Sequence, residues 1–276
     1  MGLVERDGGW RIPDVVWAQI EPLLPAGKAH PLGCHNPRVP NRDALNAILF
    51  VLRTGCQWNA LNATGICSSS SAHRRFLEWT EAGVFEQAWV KTLKDYDEFV
   101  GVDWEWLSMD GAMTKRRSAE KKTGPNPTDR AKKGTKRSLL TDGNGVPVAL
   151  AVDGANRNDF KLARETFENV VIKRPRPTSD APQNLCLDKG YDYDEVRDLA
   201  DEFRFTAHIR SRGEEAKRIK RRARFKARRW VVERAHSWMN RFRRILIRWE
   251  KRPDTYAAML HLACALITWK ACGLLG

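Results

Sequence analysis

Three acidic residues, far apart along the chain, have the character needed for metal chemistry. Asp110 and Asp188 each end a predicted buried strand and are followed closely by glycine, in SMDGA and CLDKGYD. Ligands gather at strand ends in open α/β sheets, although a single strand-end Asp is more often a turn or helix cap. Glu233 is a solitary carboxylate in the basic segment KARRWVVERAHSWMNRFRR. We therefore expect its negative charge to have a function, the alternative being a surface ion pair with Arg229.

Three such carboxylates would supply hard oxygen ligands, which suit Mg²⁺ or Mn²⁺. Two of these ions can activate the attacking oxygen and stabilise the leaving oxygen of a phosphodiester displacement. The sequence contains neither a G-x-x-x-x-G-K phosphate loop nor an H-E-x-x-H zinc motif. These residues predict a metal-dependent enzyme that acts on nucleic acid.

The basic character of the chain is concentrated in one segment. The 276 residues include 48 Lys and Arg against 34 Asp and Glu, a net charge of +14. Residues 210–252 hold 18 of these cations and four of the acids, so the rest of the chain is balanced. A concentrated positive field attracts polyanions, which favours a nucleic-acid surface over an ordinary solvated face.

The cysteines and the two ends of the sequence indicate the compartment. Six cysteines occur without a Cys-x-x-Cys pair, which is typical of reduced thiols. The opening MGLVERDGGW has no apolar signal core, and residues 256–276 are interrupted by His261 and Lys270. We expect a cytoplasmic protein whose last segment is a buried helix rather than a membrane span.

Two regions of different pattern must position the acids. Helices are predicted at 13–24, from Asn41 to Gly55, from Ser68 through Trp79, and after Gly83. Short helices joined by tight turns fit a helix-turn-helix DNA reader, whose second helix would present His73, Arg74 and Arg75. They fit a plain helical packing module equally well.

From Trp104 the pattern changes to short apolar runs bounded by turn residues, with Asp142 and Asp153 expected in turns. The predicted order is strands 106–110, 138–142 and 146–152, helix 158–170, strand 184–188, helix 191–203, strand 205–209 and a basic helix from about 224 to 249. This order predicts a mixed sheet with helices on both faces. On the last helix one stripe would carry Arg229, Glu233, His236 and Asn240.

These residues resemble the bacterial insertion-sequence transposases of the DDE type, and most closely the insertion-sequence-five (IS4/IS5-like) family. VLRTGCQW and HRRFLEW are similar to its helical region, and its catalytic blocks are matched in order by SMDGAMTK, GTKRSLLTDGNGVPVALAVDGANRND, LCLDKGYD and RRWVVERAHSWMNRFRR. The resemblance implies a helical, helix-turn-helix-like DNA-binding domain at 1–100. It further implies an α/β catalytic domain at 101–276, with a ribonuclease-H-like mixed five-stranded sheet.

The resemblance also implies roles for individual residues. Asp110, Asp188 and Glu233 would be the catalytic acids and would hold two Mg²⁺ or Mn²⁺ ions per active site. The implied reaction exposes 3′-hydroxyls at the ends of a mobile element and joins them to target DNA. The implied partner is double-stranded DNA, both the terminal inverted repeats of the element and the target, and no membrane is involved. The enzyme would act as a homodimer on DNA. It would be located in a bacterial cytoplasm, in association with the nucleoid.

The expected DNA contacts come from several segments. Arg229 matches the family signature around Glu233, whereas Lys226 and Asn240 replace its tyrosine and lysine, so that Arg241, Arg243 or Arg244 could substitute. We expect phosphate contacts from Lys136 and Arg137, the alternative being that they form a solvated strand end. Stacking on a flipped base is expected for Trp230 and Trp238 unless they belong to the core. The full set is His73, Arg74, Arg75, Lys136, Arg137, Arg224, Lys226, Arg228, Arg229, Arg234, Asn240, Arg241, Arg243 and Arg244.

Two other functions would use the same residues. A domesticated transposase or DNA-binding regulator would keep the basic surface without catalysis. A metal-dependent, structure-specific nuclease would cleave DNA without joining strands.

Overall fold

The N-terminal part of the computed structural model is helical, as predicted. The structure describes residues 11–27, 38–116, 122–125, 133–209 and 230–275. Helices occur at α1 (Asp14–Ile20), α2 (Asn41–Thr54), α3 (Ser69–Glu81) and α4 (Val84–Phe99), with short 3-10 turns at Glu21–Leu23 and Trp58–Ala63. Capping residues explain two boundaries. Ser68 accepts a hydrogen bond from Ser71 N at the start of α3, and Gly55 ends α2 with a φ of +69°.

A mixed sheet follows the helices. Its strands are β1 (Trp106–Arg116), β2 (Gly124–Pro125), β3 (Lys133–Thr141), β4 (Pro147–Gly154), β5 (Asn184–Leu187), β6 (Thr206–Ile209) and β7 (Ile247–Arg248). Among the described residues the longer strands lie in the order β4-β3-β1-β5-β6. β1 is antiparallel to β3 and parallel to β5, and β6 is parallel to β5. The predicted mixed five-stranded sheet is confirmed, and the two-residue strands β2 and β7 extend it.

Helices cover both faces of this sheet. They are α5 (Asp159–Glu168), α6 (Asp194–Glu202), α7 (Trp230–Asn240), α8 (Arg243–Leu246) and α9 (Pro253–Ala271). Arg137 and Ser138 are consecutive in β3 and therefore point to opposite faces. Ser138 meets Thr166 of α5 at 2.8 Å, whereas Arg137 reaches Asn240 of α7 at 2.6 Å. The predicted coverage of both faces is confirmed.

The hairpin between β3 and β4 has the predicted turn. Asp142 is fully buried and accepts hydrogen bonds from Asn144 N at 2.9 Å and Val146 N at 2.8 Å. Burial raises the pKa of this carboxyl, while the backbone donors act in the opposite direction. Asp142 is a turn residue, as expected, whereas Asp153, which was also expected in a turn, lies within β4.

The helical region and the sheet share one hydrophobic core. The C-terminal helix α9 is buried along most of its length and packs against α4. Trp89 of α4 donates to Pro147 O at 3.2 Å, and Trp269 of α9 donates to Gln19 at 2.7 Å. The boundary predicted at residue 100 falls between α4 and β1. The contacts of Trp89 and Trp269 cross this boundary, so the two predicted domains pack against each other.

In the part of the chain that the structure describes, no helix is both long and apolar enough to span a membrane.

Three predicted elements have clearly different bounds. The strand predicted at 138–142 begins earlier, as β3 at Lys133. β1 does not end at Asp110 but continues to Arg116, because its register with β3 runs unbroken from Ser108 opposite Thr141 to Lys115 opposite Gly134. The basic helix predicted from about 224 to 249 is interrupted, since α7 ends at Asn240 and α8 and β7 follow it. The first residues of that predicted helix, 224–229, lie outside the described residues.

Candidate active site

Strand register brings two of the three predicted acids together. β1 and β5 are parallel, with Trp106 paired to Asn184 and Ser108 paired to Cys186. Asp110 lies two residues after Ser108 on β1, and Asp188 lies two residues after Cys186, directly beyond the end of β5. Because neighbouring strands lie about 4.8 Å apart, these two acids occupy adjacent positions at this edge of the sheet.

The backbone around each of these acids holds its carboxylate. Asp110 is half-buried within β1, and Gly111 N donates to its Oδ1 at 2.8 Å. Asp188 follows β5 directly and caps a short 3-10 turn by accepting from Gly190 N at 2.6 Å. A Cβ at Gly190 would lie 2.8 Å from this carboxylate oxygen, so a side chain there would crowd the cap. Asp188 is therefore both a turn cap and a strand-end acid, two interpretations that the sequence presented as alternatives.

The third acid lies on the helix that covers Asp110. Glu233 is exposed in the first turn of α7. One turn later His236 is buried, and its Nε2 lies 3.3 Å from the backbone carbonyl oxygen of Asp110. Residues three apart are neighbours on a helix surface, so Glu233 lies one turn before the residue of α7 that contacts Asp110.

A buried arginine supports the same contact from β3. Arg137 is 1% exposed, with its Nε 3.4 Å from His236 Nδ1 and its Nη2 2.6 Å from Asn240 Oδ1. Arg137 on β3 pairs with Ala112 on β1, and Ala112 lies two residues beyond Asp110. The side chains of Arg137 and Asp110 therefore lie on the same face of the sheet, the face that α7 covers. Burial, reinforced by the charge of Arg137, lowers the pKa of His236 to about 3. The imidazole is therefore neutral at physiological pH.

The three carboxylates are chemically suited to a divalent ion, since Mg²⁺ and Mn²⁺ prefer oxygen ligands of this kind. They are not drawn together into a closed metal site. Among the described residues, no group of three or more His, Cys, Asp or Glu side chains is close enough to hold an ion. Asp110 and Asp188 follow the paired segments of adjacent parallel strands, and Glu233 lies on α7, the helix whose His236 contacts Asp110.

Three of the expected DNA contacts are buried and must be corrected. Arg137, Arg75 and Arg244 are 1%, 6% and 6% exposed. Each guanidinium is used inside the protein: Arg75 binds Glu78, and Arg244 binds Glu250 at 2.6 Å. A guanidinium that is enclosed and hydrogen-bonded in this way cannot reach a DNA phosphate without a local rearrangement.

The other expected DNA contacts are more accessible. Arg74, Asn240, Arg241 and Arg243 are exposed, whereas His73 is half-buried with its ring 4.9 Å from that of Trp58. Half-buried Lys136 donates to Arg157 O at 2.9 Å. Four of the others, Arg224, Lys226, Arg228 and Arg229, lie outside the described residues.

Aromatic side chains flank Arg234 at the start of α7. Its guanidinium carbon lies 4.4 Å from the ring centroid of Trp230 and 4.7 Å from that of Trp238, and its Nη2 donates to Asn144 O at 2.6 Å. Trp230 is 47% exposed, whereas Trp238 is half-buried. The core alternative therefore does not hold for Trp230, and stacking on a base stays a prediction.

The interior roles of Arg137 and His236 were not predicted from the sequence. The polar stripe on α7 did include His236, but nothing in it indicated burial. Alternation along β3 was the available signal for Arg137, because it shares a face with Thr135 and Leu139, both fully buried. An arginine on such a face must find its partners inside the protein.

Comparison with known proteins decides the family. Residues 102–268 match the family described as "Transposase DDE domain", and residues 12–89 match "Putative transposase of IS4/5 family". The chain belongs to the DDE transposase family. Asp110, Asp188 and Glu233 all lie within the matched DDE transposase domain.

Two relatives of this transposase come from Burkholderia cepacia. The "Putative transposase for insertion sequence element IS402" is 40% identical over 161 residues, covering 56% of this chain and 72% of the relative. The "Insertion element IS402 uncharacterized 16.2 kDa protein" is 37% identical over 120 residues, covering 42% and 80%. The solved catalytic domain of Mos1 mariner transposase is 11% identical, with a TM-score of 0.30 over 68% of this chain and 89% of that one. A similarity of that size supports no argument about this chain.

Proposed function

We propose that this transposase cleaves DNA at the ends of an insertion sequence and joins the exposed 3′-hydroxyls to target DNA, with Asp110, Asp188 and Glu233 as its catalytic residues. The β1–β5 register carries the proposal, because it aligns Asp110 with Asp188 across adjacent parallel strands. Membership of the DDE transposase family supports the reaction class.

The three acids would contribute differently to the site. Asp110 and Asp188 offer carboxylates from neighbouring strands of a rigid sheet, with one oxygen of each already held by a backbone N–H. Glu233 offers its carboxylate from an exposed position in the first turn of α7. Binding of a scissile phosphate at this edge would draw Glu233 towards the two Asp residues.

Two Mg²⁺ or Mn²⁺ ions held by these carboxylates would activate the attacking oxygen and stabilise the leaving one. The protein itself contributes the alignment of the acids and a half-buried environment for Asp110. Partial burial strengthens the attraction between a carboxylate and a cation, because fewer water molecules screen it.

Double-stranded DNA is the proposed partner, both as terminal inverted repeats and as target. The excess positive charge in residues 210–252 would attract its phosphates and make binding depend steeply on salt. Joining two element ends to one target requires both ends to be held at once, so we propose a homodimer on DNA. The proposed setting is a bacterial cytoplasm, in association with the nucleoid.

The test uses the full chain and a duplex that carries the inverted repeats flanking its reading frame. Asp110→Asn, Asp188→Asn and Glu233→Gln should each reduce Mg²⁺-dependent cleavage and joining by at least about 100-fold, since each loses several kcal/mol of charge stabilisation. Their affinity for the duplex should stay within about threefold of the wild-type value, because the basic surface is unchanged.

Asp153→Asn is the matched control. Asp153 also begins an Asp-Gly-Ala sequence and accepts from the following glycine N–H, at 2.7 Å, but it pairs with Arg157 on the surface. Its variant should cleave and join like the wild type. Undiminished activity in all three acid variants would contradict the proposal. Cleavage without joining would indicate a nuclease, and DNA binding without either reaction would indicate a regulator.

A further inference from the structure

A polar cluster joins β1, β3 and α7 directly beneath the proposed active site. We define the Arg137 cluster as Arg137, His236 and Asn240, together with the backbone carbonyl of Asp110. Arg137 and His236 are 1% and 6% exposed, so water has little access to their contacts. The distances are 3.4 Å from Arg137 to His236, 3.3 Å from His236 to Asp110 O, and 2.6 Å from Arg137 to Asn240.

Donor and acceptor chemistry allows one arrangement of protons in this cluster. The Arg137 guanidinium can only donate, so His236 Nδ1, which faces its Nε, must be the acceptor. With Nδ1 as the acceptor, the ring carries its proton on Nε2, which faces the Asp110 carbonyl, a group that can only accept. A single tautomer, Nε2–H, satisfies both neighbours of the ring.

We propose that His236, in this tautomer, is a positioning residue that fixes the distance between Glu233 and Asp110. The inference rests on the proposed function, since it matters for catalysis only if these two acids act together. The hydrogen bond runs from α7 to the peptide unit of Asp110 itself. Any slide or rotation of α7 on the sheet would therefore change the distance between the backbone of Glu233 and that of Asp110.

The apolar contacts of α7 would not fix this distance by themselves. Val232, Ala235 and Met239 are fully buried and hold the helix against the core. Apolar burial is non-directional, and it tolerates small displacements that a hydrogen bond between two defined atoms does not. A displacement of about 1 Å at a reacting centre can reduce the rate by about 100-fold. Loss of the hydrogen bond from His236 to Asp110 O should therefore lower turnover strongly, while thermal stability and DNA affinity change little.

The test compares Gln and Glu at position 236, because these side chains have the same shape. The amide of His236→Gln can accept from Arg137 and donate to Asp110 O, as the imidazole does. The carboxylate of His236→Glu satisfies Arg137 but offers no donor to the carbonyl. We expect turnover within about threefold of wild type for Gln and about 100-fold lower for Glu. The dissociation constant for the duplex should be unchanged in both.

Two controls separate positioning from folding. Ser237→Ala alters an exposed neighbour on α7 and should leave turnover and thermal stability unchanged. His236→Leu preserves apolar volume but loses both contacts, so it should resemble the Glu variant in turnover. Equal activity of the Gln, Glu and Leu variants would overturn the proposal.

A measurement without metal or DNA tests the tautomer itself. Long-range ¹H–¹⁵N spectra of the histidine-labelled chain should show a protonated Nε2 and an unprotonated Nδ1 at His236. A proton on Nδ1 would overturn the proposal even if the wild-type chain proved inactive. Absence of Mg²⁺-dependent cleavage by the wild-type chain would instead contradict the proposed function, so the two failures are distinguishable.

Discussion

A buried ion pair allows the corrected role of Arg244 to be tested. Arg244 in α8 binds Glu250 at 2.6 Å, with the side chains only 8% and 4% exposed. The same guanidinium donates to Cys56 O at 3.1 Å, so the pair connects the C-terminal segment to the loop after α2. The sequence predicted Arg244 as a DNA contact. The structure instead indicates that its loss should reduce stability.

The magnitude follows from the burial of both partners. Glu250→Gln leaves the Arg244 cation enclosed without its counter-charge, which typically costs about 3–5 kcal/mol. For a chain of this size each kcal/mol lowers Tm by about 2–4 °C, so we expect a fall of about 10 °C. Replacing both partners with apolar residues, as in Arg244→Met with Glu250→Leu, should cost much less, because no charge remains buried.

The assay is thermal and urea unfolding of the wild type, the single variant and the double variant. Glu202→Gln is the control, since Glu202 binds Arg164 at 2.6 and 2.7 Å but both side chains are more than half exposed. Its Tm should match the wild-type value, because solvent screens an exposed pair. The explanation fails if Glu250→Gln behaves like Glu202→Gln, or if the double variant is as unstable as the single one.

Two further predictions concern stability. Gly55→Ala should lower the free energy of unfolding more than Gly65→Ala does. Both glycines have φ near +70°, which costs an alanine about 1–2 kcal/mol, but a Cβ at Gly55 would also lie 2.9 Å from Arg243 Cβ, whereas one at Gly65 meets nothing within 4 Å. Equal losses of stability in urea unfolding would contradict the role of this contact. Burial against Trp89 lowers the pKa of His261 to about 4, below its unfolded value of about 6.5, so wild-type stability should fall as pH drops from 6.5 to 4. His261→Phe should lose less stability over that range, and parallel curves would refute this.

Local sequence signals predicted most of the elements. Ser68 and Gly55 have clear capping chemistry, and the helices that they bound agree with the expected spans within a residue or two. The hairpin turn at Asp142 was equally clear from its sequence of turn residues. Such features depend on residues within one turn of each other, and these interactions can be recognised without knowing the fold.

Burial of charge was not predictable in the same way. Arg137 and Arg244 were assigned to the DNA surface because net charge indicates a partner but not which cations reach it. The interior partners of Arg137 lie 99 and 103 residues away in sequence, at His236 and Asn240. Only the packing of α7 on β3 brings them together, so alternation along β3 could indicate that Arg137 is buried, but no local pattern could have identified its partners.

The sequence Asp-Gly-Ala shows how register, rather than local structure, selects the acid for chemistry. It occurs at Asp110 and again at Asp153, and in each case the carboxylate accepts from the following glycine at 2.8 or 2.7 Å. The local geometry is therefore the same at both positions. β1 lies beside the parallel strand β5, which is followed directly by Asp188, whereas β4 pairs with β3 at the far side of the sheet. An acid on β4 has no strand-end acid beside it among these pairings, and for this reason we expect Asp153→Asn to retain the activity that Asp110→Asn loses.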